Sequence, residues 1–230
     1  MKVGFIITSH WSDKIRPDGN KFLSKIIDSI MKECKHKFKI YIIDNQSEYS
    51  LSFPDDRRID YRRIDDQYEK GLTGAWNLGI NAAYEDGCDI LINCNDDLWF
   101  NETINLAIRE ISIFNDLENV VFGPVTNGVL GKGPQKIFDV TVKIQKLTND
   151  VINGFCFAMH RNHYKKFRHN NTEYFNENNV HNGGDGKWGG QEGQWIENKK
   201  DGLYCIILNQ WFVPHIKLRN WKVAKKQDGK

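Results

Sequence analysis

The sharpest chemistry in the chain is the triplet Asn95-Asp96-Asp97, which follows the apolar run Asp89 to Asn93. Two adjacent carboxylates at the end of a buried strand repel each other and lose solvation, and a divalent cation relieves both costs. Hard cations such as Mg²⁺ or Mn²⁺ take oxygen ligands, often one or two carboxylates together with substrate phosphates. The competing reading is a helix cap, with Asp97 or Asn101 ahead of a helix beginning at Glu102. Asp44 closes a second apolar run. It reads either as an acceptor for a ring N–H of a nucleobase or as the first residue of the turn Asp44-Asn45-Gln46-Ser47. Gly71-Leu72-Thr73-Gly74-Ala75-Trp76-Asn77-Leu78-Gly79 opens a helix, where small residues and free N–H groups can approach a diphosphate. Its spacing is neither that of a P-loop nor that of a dinucleotide fingerprint.

Such groups act together only if a scaffold gathers them. Val3 to Thr8 and Phe38 to Ile43 are continuous apolar runs, and Ile59 to Ile64 and Asp89 to Asn93 read as further strands. Between them, Phe22, Leu23, Ile26, Ile27 and Ile30 recur at helical spacing, with Asp18 or Asn20 as a cap. Thr73 to Tyr84 reads as a second helix, in which Gly74 and Gly79 serve close packing or ligand approach. Asn101 to Phe114 reads as a third, with Ile104, Ala107, Ile108 and Ile111 on one face. Alternating strands and helices with uninterrupted apolar strands predict an α/β domain around a mixed, mostly parallel central sheet. Ligands bind beyond the carboxyl ends of such strands, which is where Thr8, Ser9, His10 and Trp11, then Asp44 to Ser47, then Asn95 to Asp97 fall. The second half is less regular. Strands are expected at Val120 to Val125, Phe155 to Met159, Tyr204 to Leu208 and Trp211 to Val213. The Asn/Gly-rich stretch Asn176 to Gly193 reads as a long loop, either a lid or simple surface disorder.

The 230 residues carry 32 basic and 30 acidic side chains, a net charge of +2 that argues against a dedicated nucleic-acid binder. With 40% hydrophobic residues the chain is too apolar to be disordered. The charge is unevenly spread. Between Asp44 and Asp97 thirteen acids face five bases, and residues 217–230 hold six bases and one acid. We therefore expect one domain over residues 1–216 and a basic tail over 217–230, which is solvated, touches an anionic membrane or joins a further domain. No secretory signal or transmembrane segment is read. Five cysteines without CxxC spacing read as reduced, buried thiols of a cytoplasmic protein.

Taken in order, these blocks resemble family 2 glycosyltransferases of the GT-A fold. Ile42-Ile43-Asp44-Asn45-Gln46-Ser47, then Gly71…Gly74…Asn77-Leu78-Gly79, then Ile90-Leu91-Ile92-Asn93 before Asn95-Asp96-Asp97 look like successive blocks of that family. Asn153-Gly154-Phe155-Cys156-Phe157-Ala158-Met159 is similar to its acceptor-side strand, Gly190-Gln191-Glu192 resembles its "ED" block, and His215 is similar to a C-terminal metal-binding histidine. The short Asn/Lys-rich chain also resembles the small glycosyltransferases of large algal viruses, which would place it in a host cytoplasm. The resemblance implies transfer of a sugar from a nucleotide diphosphate, UDP favoured, to an acceptor hydroxyl of a glycan or glycoprotein, with inversion. It implies Thr8, Ser9, His10, Asp44, Asn45, Gly71, Gly74, Asn77, Asn95 and Asp96 around the nucleotide sugar. It implies Asp97 and His215 on Mn²⁺ or Mg²⁺, Glu192 as general base, and Gly154 on the acceptor side. Trp188, a loop tryptophan able to stack on a sugar face, is a further acceptor-side candidate. Two blocks depart from the pattern: Asn95 replaces the first acid of the DXD motif, and Glu192 replaces an aspartate, with Glu173, Glu177 and Asp185 in reserve. For His215 the other reading is a histidine buried beside Trp211 and Phe212. The rival functions are a sugar-phosphate nucleotidyltransferase, which should carry a glycine-rich loop after the first strand where Ser9 to Gly19 has none before its end, and a non-catalytic nucleotide-sugar or carbohydrate-binding module.

Overall fold

β1 (Lys2–Ser9) is buried from Val3 to Ser9, as a strand must be when neighbours flank both edges and helices cover both faces. The computed structural model describes residues 1–14, 16–126, 145–147, 152, 154–178 and 191–215. After β1 come α1 (Gly19–Glu33), β2 (Lys37–Asn45), β3 (Ile59–Ile64), α2 (Gln67–Glu85), β4 (Ile90–Asn95) and α3 (Thr103–Ile113). Then follow β5 (Val120–Val125), β6 (Gln145–Leu147), β7 (Cys156–His160), α4 (Arg161–Phe167), α5 (Glu192–Glu197), a short 3₁₀ turn and β8 (Tyr204–Phe212). The strands form one sheet in the order β3-β2-β1-β4-β7-β5-β8-β6. β1 runs parallel to β2 and β4, β2 to β3, and β5 to β8. β7 lies antiparallel between β4 and β5, and β6 antiparallel to β8.

The helical periodicity places the core as expected. α1 buries Phe22, Leu23, Ile26, Ile27 and Ile30, and α3 buries Ile104, Ala107, Ile108 and Ile111. Both pack with Phe5, Ile7, Ile40 and Ile92 on one face of the sheet. On the other face α2 packs Trp76, Ile80 and Ala83 with Ile6, Tyr41, Ile43, Phe157 and Trp195. Gly79 makes that packing possible, since a Cβ there would stand 2.2 Å from Ile6 Cγ2.

The structure departs from the sequence reading at several elements, β6, α4 and α5 among them, which the reading did not contain. β8 is one strand, not two. Its pairing with β5 shifts register between Pro124 and Val125, so Asn209 and Gln210 are accommodated as an irregularity. α2 begins earlier, at Gln67, but Gly71 breaks it with φ 60°, a conformation suited to glycine, so the regular helix starts where the sequence placed it. Neither Asp18 nor Asn20 caps α1 through its side chain. Asp18 precedes the helix without a side-chain bond, and Asn20 lies within it, accepting the Ser52 N–H at 2.6 Å. All five cysteines are buried free thiols. Among the described residues, no helix is long and apolar enough to cross a membrane. The boundary at residue 217 lies outside the described residues.

Candidate functional site

The parallel register brings the polar strand ends side by side. Thr8 pairs with Asn95 of β4 and Ile43 of β2, and Ser9 pairs with Asp44. Ser9 Oγ donates to Asp96 Oδ2 at 2.7 Å. Beyond β1, Ser12 and Arg16 close a tight antiparallel turn. That turn presents the Arg16 guanidinium to both acids: it pairs with Asp96 Oδ1 and approaches Asp97 Oδ2 at 3.3 Å. From the far end of the chain, His215 joins Leu98 in an antiparallel bridge, and Trp99 N–H donates to Pro214 O at 3.2 Å. His215 Nε2 thereby lies 3.5 Å from Asp97 Oδ1. The His215 ring packs edge-on against Phe155, with centroids 5.5 Å apart, and Phe155 O accepts the Asn95 N–H at 2.9 Å. Gly154, buried, precedes Phe155 on this same edge.

Asp96 and Asp97 are 2% and 5% exposed. Burial pushes the Asp96 carboxyl up, and the neighbouring Asp97 charge adds to this, while Arg16 and the Ser9 hydroxyl pull it back. Burial opposes the charge on Arg16, yet the two carboxylates together outweigh it and hold the guanidinium more firmly protonated than usual. Asp97 Oδ1 has no hydrogen-bond partner and no contact with solvent. Such an atom costs about 1–3 kcal/mol unless something meets it. Thr8 Oγ1 and Asn45 Oδ1, on the neighbouring strand ends, are in the same condition.

This donor set fits a hard divalent cation. A carboxylate oxygen and an imidazole nitrogen 3.5 Å apart can both reach one ion, since ligands ~2.1 Å from a common centre lie roughly 3–3.5 Å from each other. No group of three or more His, Cys, Asp or Glu side chains is assembled for a metal among the described residues. Among the described residues, Asp97 and His215 are the pair that would hold such an ion.

Asp44 is differently employed. It is 0% exposed. Its Oδ1 accepts the Ser47 N–H at 2.8 Å, and its Oδ2 accepts Tyr61 Oη at 2.6 Å and an Arg63 N–H at 3.0 Å. The turn reading thus holds, and the expected acceptor for a base N–H is already engaged within the protein. Arg63 also donates to Ser47 O at 3.0 Å, so Tyr61 and Arg63 lock the turn after β2. His10 is clamped in the same region, with Nδ1 3.0 Å from Asn45 O and Nε2 3.0 Å from Ser12 Oγ.

Asn77 is also turned to a different task. Its Oδ1 accepts the N–H groups of Tyr174 and Phe175 at 3.1 and 2.9 Å, and its Nδ2 donates to Phe175 O at 2.8 Å and Glu177 Oε1 at 3.1 Å. The amide therefore pins residues 174–177 to α2 rather than facing a ligand. Gly71 and Gly74 are buried at the start of α2. Gln191 donates to the Thr73 hydroxyl, and Gln194 donates to Tyr174 O at 2.8 Å and accepts the Asn176 N–H at 2.9 Å. These bonds fix the start of α5, whose first residue is Glu192, against α2. The Glu192 side chain, Trp188, Asp185, Asn153, Gly190 and most of the loop expected between Asn176 and Gly193 lie outside the described residues. Trp76 and Trp195 are core residues.

Arg16, Tyr61 and Arg63 were not singled out by sequence. An arginine in an irregular loop carries no periodic signal. Tyr61 and Arg63 were legible in principle, as alternate residues of a short strand beside the one that ends in Asp44.

No family model and no curated protein matches this sequence. Solved structures do. Residues 1–349 of S. aureus TarS align with a TM-score of 0.62 at 14% identity, over 94% of this chain and 60% of that one. The same protein in complex with UDP-GlcNAc aligns at 0.61 and 15% identity, over 95% and 59%. GalNAc-T7 with UDP, GalNAc and Mn²⁺ aligns at 0.57 and 16% identity, over 96% and 45%. This chain thus spans 60% or less of the length of each of these structures. Both neighbours are GT-A glycosyltransferases, and this chain has the GT-A fold.

Proposed function

We propose that the chain is a metal-dependent, inverting glycosyltransferase of the family 2 type, moving a hexosyl group from a nucleotide diphosphate, UDP favoured, to a hydroxyl on a glycan. One observation carries the reading. Four polar groups from three separate parts of the chain, Ser9, Asp96, Asp97 and His215, meet at the carboxyl edge of the sheet, and Asp97 Oδ1, buried there, has no hydrogen-bond partner. Neighbours of the same fold hold UDP, UDP-GlcNAc and Mn²⁺, which supports the choice of donor and ion.

When bound, the ion supplies Lewis-acid stabilisation of the charge that grows on the departing diphosphate. Asp97 and His215 would hold it. Ser9 orients Asp96, which would face the ribose or a nearby water. Glu192 takes the proton of the acceptor hydroxyl from the side opposite the leaving group, which requires a hydrogen-bond distance of about 2.6–3.2 Å. Thr8 and Asn45 offer unpartnered oxygens toward the donor.

The test is incubation with Mn²⁺ and a panel of UDP-, GDP- and dTDP-sugars. Slow release of free sugar and nucleoside diphosphate from one donor is the expected result. Turnover that requires pyrophosphate would make the chain a nucleotidyltransferase, and tight binding with no turnover would make it a binding module.

A further inference from the structure

Arg16 occupies a place that the proposed function leaves unexplained. Its side chain is 14% exposed, and its partners Asp96 and Asp97 are less exposed still. It reaches them across 80 and 81 positions in sequence, from a turn closed by two Ser12–Arg16 backbone bonds. Its guanidinium carbon also lies 5.4 Å from the centroid of the Phe22 ring, at the start of α1. One fork thus spans both acids. It engages one oxygen of each, shares Asp96 with the Ser9 hydroxyl, and leaves Asp97 Oδ1 open toward His215.

The charges decide what this means. Asp96 and Asp97 together carry −2, and Arg16 brings them to −1. A divalent cation arriving alone meets only that residual charge, and it meets a fixed positive group in contact with the same carboxylates. At the distances of a contact pair, cancelling one unit of negative charge weakens the hold on a cation strongly even at an effective dielectric of ~20. A diphosphate reverses the balance. It supplies negative charge for the cation, and its oxygens match a guanidinium fork as well as the carboxylates do.

We propose that Arg16 is the resident counter-ion of the Asp96–Asp97 pair, and that it makes cation binding depend on the nucleotide diphosphate. Without nucleotide, Arg16 stays on the carboxylates and the cation binds weakly. With nucleotide, the fork turns from the carboxylates to the diphosphate and the cation takes its place. The proposal rests on the metal-dependent reading above. It adds an order to it: the ion and the nucleotide enter as a coupled pair.

Mn²⁺ binding to the full chain, read from the electron paramagnetic resonance signal of the free ion, tests this without any turnover. The wild-type protein should bind Mn²⁺ at least tenfold more tightly when UDP is saturating. Arg16→Gln should bind Mn²⁺ alone at least tenfold more tightly than wild type, with a smaller gain from UDP. Arg16→Lys keeps the charge and should stay near wild type for Mn²⁺ alone. Equal Mn²⁺ affinity of wild type and Arg16→Gln without UDP overturns the proposal, as does an equal rise in Arg16→Lys, which would trace the effect to lost packing. Should Arg16→Gln fail to fold, wild-type affinity that is strong and indifferent to UDP overturns it alone. Absence of Mn²⁺ binding even with UDP would instead remove the metal-dependent reading on which it stands.

Discussion

Asp97 and His215 face each other across 3.5 Å, although four of the eight strands are built between them in the chain. Their meeting depends on backbone, not on chance side-chain reach. The Leu98–His215 bridge and the Trp99 to Pro214 bond dock the end of β8 directly against the residues that follow β4.

Removing either carboxylate role should separate binding from turnover. Asp97→Ala should abolish transfer and weaken Mn²⁺-dependent UDP binding. Glu192→Gln should lower transfer by about 10²–10⁴-fold while UDP binding stays intact. Calorimetry with UDP and Mn²⁺, beside a donor-turnover assay, checks both. Near-normal turnover in Glu192→Gln would pass the base role to another carboxylate.

His215→Gln should cost at least about 1.4 kcal/mol of Mn²⁺ binding in the presence of UDP, a tenfold drop. Its Phe155 contact is to the ring edge, so the same variant should lose little stability. A large stability loss with unchanged ion affinity would make His215 a packing residue.

Asn77→Ala should destabilise the fold by about 2–5 kcal/mol in urea denaturation, because two buried N–H groups and the Phe175 carbonyl lose their partner together. A loss below 1 kcal/mol would mean that water replaces the amide with ease.

Gly79→Ala adds one methyl group 2.2 Å from Ile6 Cγ2 and 2.9 Å from Ile43 Cγ1. Both neighbours are branched at Cβ and fully buried, so the core has little room to give. The expected loss is about 1–3 kcal/mol, read as a lower denaturation midpoint.

Acid should loosen the fold through His163. The ring is fully buried, with Nε2 2.7 Å from Tyr174 Oη, and burial pushes its pKa down to about 3. The unfolded chain takes up this proton near pH 6.5 and the folded one does not. Stability is therefore complete above about pH 6.5 and falls as pH drops toward 3, by up to ~1.4 kcal/mol per pH unit. His163→Gln should flatten that slope in denaturation series at several pH values.

Most of the scaffold was legible because its signals are strong ones. Buried parallel strands such as Val3 to Thr8 must be apolar throughout, and α1 and α3 bury the residues that recur at helical spacing. The strand order was not legible. Nothing in Cys156 to His160 announces that β7 enters antiparallel between β4 and β5, since a fully buried strand reads the same in either direction. β6 was missed because three residues carry no period. At the carboxyl edge of the sheet, strand-end position pointed to Ser9, Asp96 and Asp97 and the family resemblance to His215, but neither revealed which polar side chains the fold consumes for itself. Asp44 and Asn77 look like ligand groups in sequence, yet Asp44 accepts from Ser47, Tyr61 and Arg63, and the Asn77 amide makes four hydrogen bonds to residues 174–177.

The bridge between Leu98 and His215 also sets a schedule for the growing chain. β1, β2, β3 and β4 can pair as soon as they leave the ribosome, so the acidic pair is formed early and exposed early. Its histidine partner arrives only after β7 has been inserted and β8 has closed beside β5. Until then Arg16, made before the acids, is their companion, and a nascent chain halted before residue 215 would carry the acids and the arginine but not the complete edge.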